Sequence, residues 1–251
     1  MVRLSVNVNK VATLRNSRGG RVPSVVEAVE VCVDAGAPGI TVHPRADRRH
    51  ITPDDVRDIA RALAGRAPHV EYNIEGDPRP DLLDLLREVR PDQCTLVPVV
   101  PGEVTSQAGW QPGPATERIP DIVQQLRASG VRVSLFVDAA PDPIKWASTV
   151  GADRVELYTE PYARAFEGGP EAARRSFGVF AGAARLAHSL GLGVNAGHDL
   201  DLANLTIFRG LPFLDEVSIG HAIISRALFT GLSTVVREYL GVLAAAEGVR
   251  A

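Results

Sequence analysis

Four stretches of this chain repeat one punctuated phrase, and that phrase constrains the fold more than any other feature. DAGAPGITVH (Asp34 to His43), ASGVRVSLFVD (Ala128 to Asp138), TVGADRVELYT (Thr149 to Thr159) and SLGLGVNAGH (Ser189 to His198) each read as a helix stopped by glycine, a brief turn, then a strand. Glycine stops a helix because it enters the left-handed conformation without a Cβ clash. Four such αβ junctions at unequal spacing describe one layered α/β unit rather than a solenoid.

Eight strand candidates follow from the apolar runs: Arg3 to Asn9, Gly39 to His43, Val70 to Glu75, Gln93 to Val99, Arg132 to Asp138, Arg154 to Thr159, Gly193 to Ala196 and Glu216 to Ile219. Several are almost continuously apolar or β-branched, as expected of parallel strands covered on both faces. Between them, helical spacing is expected over Val25 to Asp34, Asp54 to Leu63, Asp81 to Val89, Ile119 to Ser129, Pro143 to Thr149, Glu171 to Ser189 and Ala222 to Ala246. Thr52 reads as an N-cap ahead of Pro53. A chain of 251 residues suits an α/β TIM (β/α)8 barrel as a single domain over residues 1–251, with extra helical and loop segments. An open doubly wound sheet is the main rival, but VNVNKVATLRNSRGG after the first strand does not match GxGxxG. The proline-rich part from Pro98 to Pro120 reads as an extended loop, a candidate active-site lid.

The net charge of -3 supplies no global positive field for nucleic acid or an anionic membrane. Cys32 and Cys94 are each flanked by apolar residues and read as buried thiols in a reducing compartment. The N-terminus offers no signal-peptide stretch and no apolar segment reaches 18 residues, so a soluble cytoplasmic protein is expected.

Proton-transfer groups recur where strands give way to loops: His43, Glu75, His198 and His221. In a closed barrel these ends share one mouth, with Asn7, Asn9, Lys10, Arg45, Thr105, Ser106 and Glu156. Histidine exchanges protons near neutral pH, and glutamate does so once burial or a like charge raises its pKa. Arginines cluster after strand one (Arg15, Arg18, Arg21) and strand two (Arg45, Arg48, Arg49), where a guanidinium fork suits phosphate and Asp47 neutralises part of the second cluster. Backbone N–H groups at Gly197 and Gly220 are further candidates for an anion. His43, Glu75, His198 and His221 are metal-ligand types, but no HxH or HExxH spacing occurs, and no metal is expected. Lysine occurs only at Lys10 and Lys145, so Lys10 stands out as a Schiff-base amine or a fixed charge.

In order along the chain, NVNKVATLRNSRGG, ITVHPRADRRHI, NIEG, TLVPV with TSQAGW, VSLFVD, VELYTEPYA, VNAGHDL and SIGHAIISRALFTGL resemble the pyridoxine 5'-phosphate synthase family, of the deoxyxylulose-dependent route to vitamin B6. The resemblance covers nearly the whole chain. It implies a barrel assembled into homo-oligomers up to octamers, needing no metal or organic cofactor. The implied reaction condenses two phosphorylated small molecules, 1-deoxy-D-xylulose 5-phosphate and 3-amino-2-oxopropyl phosphate, to pyridoxine 5'-phosphate, phosphate and water. By the same resemblance His43 and Glu75 are proton acceptors, His198 is a proton donor and Glu156 stabilises a charged transition state. Asn7, Arg18, Arg45, His50 and Thr105 contact the substrates, and Gly220 with His221 holds a phosphate.

The sequence departs from the family pattern in places. Asn9 and Lys10, in a substrate-binding stretch, replace aspartate and histidine; Asp199, beside the implied phosphate site, replaces glycine; Val99 and Gln107 replace glutamates. Three other functions stay open beside the synthase. One is a Schiff-base aldolase using Lys10, another a metal-dependent hydrolase or epimerase, and the third a non-catalytic phosphometabolite-binding barrel. The C-terminal run AIISRALFTGL into VVREYLGVLAAA carries more apolar surface than one barrel-facing stripe requires, leaving excess for the outer ring or a subunit contact.

Overall fold

The computed structural model describes residues 1–100 and 106–245. The chain opens with β1 (Arg3–Asn7), α1 (Asn9–Asn16), α2 (Val25–Asp34), β2 (Gly39–Val42), α3 (Pro53–Leu63) and β3 (Glu71–Gly76). It continues through α4 (Pro80–Val89), β4 (Gln93–Leu96), a 3₁₀ turn at Pro114–Thr116, α5 (Ile119–Ala128), β5 (Arg132–Val137), α6 (Pro141–Thr149) and β6 (Arg154–Tyr158). The last part is α7 (Glu160–Glu167), α8 (Pro170–Ser189), β7 (Gly193–Gly197), α9 (Leu205–Phe208), β8 (Leu214–Ile219), α10 (His221–Thr230) and α11 (Leu232–Ala244). The eight strands pair in parallel in sequence order, and β8 returns to β1 to close the barrel. This is the TIM (β/α)8 barrel.

The repeated glycines do what their spacing implies. Gly36, Gly130, Gly151 and Gly191 have φ values of +103°, +86°, +81° and +78°, each at a helix-to-strand junction. Thr52 caps α3 in a full capping box with Asp55: the Thr52 hydroxyl accepts from Asp55 N–H, and the Asp55 carboxylate accepts from Thr52 N–H at 2.8 Å.

The strands differ from the continuously apolar reading. They alternate, and both faces are buried. Outward positions such as Leu4, Val6, Ile40, Val42, Ile74, Leu96, Leu135, Val155, Val194 and Val217 form the apolar layer under the helices. Inward positions are largely polar: Ser5, Thr41, Asn73, Thr95, Ser134, Glu156, Asn195 and Glu216 are buried. A barrel interior is more often filled by branched apolar side chains. Here hydrogen bonds replace that packing, as buried polar groups require. Ser5 and Thr41 hydroxyls lie 2.7 Å apart, Asn73 donates to Thr41 at 3.3 Å and Thr95 to Asn73 at 3.1 Å. The basal end is ionic, with Arg3 bonded to Glu71 at 2.6 Å and Arg132 also paired with Glu71.

Three helices fall where loop was expected: α1, α7 and α9. Asn9 and Lys10 therefore open a helix instead of ending a strand. Arg15 lies on α1 and grips Asp55 of α3 through both guanidinium nitrogens, one at 2.9 Å, so it serves as a strut instead of a free anion ligand. The single C-terminal helix expected from Ala222 to Ala246 breaks at Gly231, whose φ of +84° separates α10 from α11. The Pro98–Pro120 segment is anchored in its second half: Trp110 N–H donates to the Phe136 carbonyl at 2.8 Å and its indole to the Leu96 carbonyl at 2.9 Å. Thr105 lies outside the described residues. No described helix is long and apolar enough to cross a membrane.

Candidate active site

The site begins at the ends of β1, β2 and β3. Asn7 Oδ1 accepts from Asn9 N–H at 3.0 Å, and Asn7 Nδ2 reaches Glu75 Oε2 at 3.5 Å. Asn9 Oδ1 accepts from His43 N–H at 2.9 Å, tying the start of α1 to the end of β2. His43 Nδ1 then stands 3.8 Å from Glu75 Oε2. Its Nε2 is buried and has no hydrogen-bond partner. Burial, aided by His50, Arg45 and Arg79, lowers the His43 pKa to about 3, so the imidazole is neutral at physiological pH. His50 packs edge-on to His43 with ring centroids 6.2 Å apart, and its Nδ1 accepts from Ile51 N–H at 2.9 Å. Burial, then the charges of Arg45 and Lys10, lowers the His50 pKa to about 4.

Two carboxyls lie inside the mouth. Glu75 is pushed above the ordinary carboxylate range by burial and then by Glu216, against a hydrogen bond from Ser218. Glu156 is pushed up by burial, then by Glu75 and Glu216, against a hydrogen bond from Thr95 at 3.4 Å. Glu156 owes its place to Gly197, where a Cβ would fall 2.3 Å from Glu156 Oε1. The sequence reading gave Gly197 an anion-binding N–H; its strand position and missing side chain make it the gap that admits Glu156. Gly220 has a related role, since a Cβ there would meet the Asn7 carbonyl at 2.9 Å.

His198 and His221 stand across the mouth on the β7 and β8 side. His198 and Asp199 both have positive φ, +89° and +58°, a rare pair for residues with side chains. The turn is fixed by the Thr159 hydroxyl, which donates to the Gly197 carbonyl at 2.7 Å and lies against that of His198, and by Asn204, which donates to the Asp199 carbonyl at 3.0 Å. Asp199 Oδ2 sits 3.0 Å from His198 Nδ1, and that bond first, with the charges of His198 and His221 behind it, holds the Asp199 pKa below the ordinary carboxylate value. Asp199, which the sequence reading set beside the implied phosphate site, thus has a histidine partner on the rim. The His198 ring packs edge-on to Tyr158 at 5.1 Å. His221 is the first residue of α10, whose N-terminus has no side-chain cap.

Of the other site candidates, Arg45 is buried beside Asp47 at 3.9 Å, Arg49 pairs with Asp47, and Arg18 and Lys10 are exposed. The sequence reading missed Thr95, Ser218 and Glu216, which the period-two alternation of β4 and β8 marks as inward. It also missed Arg79, which donates to the Pro44 carbonyl and to Asp77 at 2.6 Å and braces the loop carrying His43. Among the described residues no group of three or more His, Cys, Asp or Glu is placed to hold a metal ion.

Residues 4–245 match the family described as pyridoxal phosphate biosynthesis protein PdxJ. The chain belongs to this family. Proteins named pyridoxine 5'-phosphate synthase from Bacteroides thetaiotaomicron and Porphyromonas gingivalis are each 50% identical to it, over 95% and 97% of this chain and 98% and 100% of theirs. A third of that name, from Leptospira biflexa, is 48% identical over 97% of both chains. Among solved structures, phosphoribosyl anthranilate isomerase from Thermotoga maritima superposes with a TM-score of 0.63 over 99% of this chain and all of that one, at 14% identity. That likeness concerns the barrel alone.

Proposed function

We propose that this chain is a pyridoxine 5'-phosphate synthase, condensing 1-deoxy-D-xylulose 5-phosphate with 3-amino-2-oxopropyl phosphate by general acid–base chemistry. The observation that carries the reading is the pairing of a neutral His43 with a proton-holding Glu75 at 3.8 Å on the barrel mouth. Ring formation demands repeated proton transfers at fixed points, and a carboxyl raised toward neutral pH, as Glu75 is, suits them. His43 Nε2, buried and unbonded, faces the substrate as a base. Glu75 first gives up its proton and takes protons back in later steps. His198, held by Asp199 through Nδ1, donates a proton to a leaving oxygen. Glu156, deeper in the barrel, stabilises positive charge that develops above it when ionised.

Two phosphates need two anion sites. The uncapped N-terminus of α10 beside Gly220 and His221 suits one through its free N–H groups. Arg45 and Arg18, with Lys10 close enough for its charge to act on His50, suit the other. Asn7, Asn9, His50 and Thr105 complete the substrate contacts in this reading. We also place the protein in the cytoplasm as a homo-oligomer, for which the exposed Leu228 and Phe229 of α10 offer apolar contact surface.

The test is incubation of metal-free protein with both substrates, following product fluorescence and released phosphate together. Product is expected, and His43→Ala or Glu75→Gln should abolish it. Borohydride trapping of substrate on Lys10 would favour the aldolase. Both substrates binding without product would favour the non-catalytic barrel.

A further inference from the structure

The barrel holds a third deep carboxyl that the chemistry above leaves unused. Glu216 on β8 is 2% exposed, deeper than Glu156 at 4% or Glu75 at 9%. In register it pairs with Asn195 of β7, which pairs in turn with Glu156 of β6. Asn195 Nδ2 donates to Glu216 Oε1 at 3.3 Å. Two residues along the same face of β8, Ser218 hydrogen-bonds Glu75. Thr95, the register partner of Glu75, reaches Glu156. Glu75, Glu156 and Glu216 therefore share one polar interior, linked by neutral amides and hydroxyls, while a fourth buried carboxyl, Glu71, is held at the basal end by Arg3 and Arg132.

The cations stand at the basal end. Arg3 Nη2 is 3.4 Å from Glu216 Oε2, and Arg154 Nη1 donates at 2.7 Å to the same Asn195 that bonds Glu216. Arg132 pairs with Glu71 beside them. We propose that Glu216 is a positioning residue for the site: it is the first of the three carboxyls to ionise, and its charge then holds protons on Glu75 and Glu156. This rests on the reading of Glu75 and Glu156 as the proton-handling pair.

The electrostatics agree in direction. Burial raises all three groups, and burial followed by Glu71 leaves even Glu216 at about 7, but only at Glu216 do guanidinium charges, from Arg3, Arg154 and Arg132, oppose the rise. Glu75 is opposed only by Ser218, and Glu156 only by Thr95. Glu216 faces Arg3 from β1, Glu71 from β3, Arg132 from β5 and Arg154 from β6, while Glu75 faces His43 from β2. Like charges sharing a low-dielectric space ionise one at a time, so the negative charge settles where cations hold it.

The experiment is an infrared titration of buried protonated carboxyls in the full chain, comparing the unsubstituted protein with Glu216→Gln. Glutamine keeps the oxygen that accepts from Asn195 and removes the charge. The carboxyl band that Glu75→Gln deletes should lose its proton about one pH unit lower in Glu216→Gln. Glu216→Asp, which keeps the charge, should titrate like the parent. In turnover, both limbs of the kcat/KM profile should move to lower pH together in Glu216→Gln; a merely structural role would lower the curve without moving its limbs. A folded Glu216→Gln with unmoved band and limbs would overturn the proposal. If that variant does not fold, Arg3→Met takes a cation from Glu216 and should raise the titration of the band that belongs to Glu216; an unmoved band there also overturns it. Failure of the synthase reading has a different signature, namely no product from the unsubstituted protein at any pH, and the infrared comparison is read without substrate.

Discussion

Gly197 offers the sharpest single perturbation, because the structure says what a methyl group there would strike. An alanine Cβ would lie 2.3 Å from Glu156 Oε1, with Glu156 Cδ and the Ser218 carbonyl oxygen both at 3.3 Å. Ordinary contact begins near 3.4 Å, so the carboxyl must retreat by about 1 Å, since 3.4 − 2.3 = 1.1. Glu156 is 4% exposed and has no solvent to move into. Overpacking of this kind costs about 1–3 kcal/mol. For a chain of this length each kcal/mol is worth about 2–4 °C in Tm, which places the expected drop at roughly 2–12 °C. With Glu156 in its proposed role, a displacement of about 1 Å should also cost on the order of a hundredfold in kcat.

Differential scanning calorimetry and steady-state turnover on Gly197→Ala measure both effects. Gly182→Ala is the control: Gly182 lies inside α8 with open space where its Cβ would be, so alanine there should stabilise by about 0.5–1 kcal/mol and leave turnover alone. A Gly197→Ala protein that melts and turns over like its parent would refute the claim that this glycine exists to admit Glu156.

The linked titrations of His43 and Glu75 shape stability in opposite directions. The folded-state pKa of His43 is depressed, so its contribution is present above the unfolded value near 6.5 and is lost as pH falls toward about 3; His43→Gln should flatten urea-unfolding stability across that window. Glu75 is raised, so its contribution is present below the unfolded carboxylate value and is lost as pH rises through the folded one; Glu75→Gln should remove an alkaline decline. Asp199→Gly relieves a left-handed φ of +58° but frees His198 Nδ1, and about a tenfold fall in kcat with little change in Tm is expected. Asp55→Ala leaves the half-buried Arg15 without its partner and removes the α3 capping box, which should cost about 3–5 kcal/mol in denaturant unfolding.

Much of this fold was legible because it rests on local chemistry. The junction glycines, the Thr52 cap and the eight strand positions all announce themselves within a few residues. The missed helices are short, and only α7, with Glu160 and Pro161 in its first turn, carries local start signals. α1 has no side-chain cap and no acidic residue in its first turn, and α9 is four residues long. The broken C-terminal helix was hidden because Gly231 sits between two apolar stretches that each keep helical spacing. At the site, the ionisable residues at strand ends were readable from position alone. Partners such as Asp55 for Arg15, or Glu156 against Gly197, were not, because they join segments 40 and 41 residues apart. The polar barrel interior was readable in principle. RLSVN, EYNIEG and RVELY alternate with period two, and closure of the barrel, not solvent, buries the polar face.

The departures from the family pattern make physical sense as one set. At position 9 the structure requires an acceptor for His43 N–H, and an asparagine oxygen supplies it as an aspartate oxygen would, without the charge. Lys10 adds a cation whose field reaches His50 and favours its neutral form. Asp199 returns a negative charge to the rim, directly against His198. Relative to aspartate, neutral histidine and glycine at these positions, the sum is one more positive charge: the β1–β2 side of the mouth gains two and the β7–β8 side loses one. The β7–β8 side instead gains a carboxylate already engaged by an imidazole. A phosphorylated substrate should therefore bind more tightly on the β1–β2 side at low ionic strength and lose that advantage as salt rises. Substrate KM measured against ionic strength for the parent and for Lys10→Gln checks this, because the variant should show the shallower dependence for one substrate only. Equal slopes for both proteins would mean that Lys10 points its charge away from the site and that the compensation is formal, not physical.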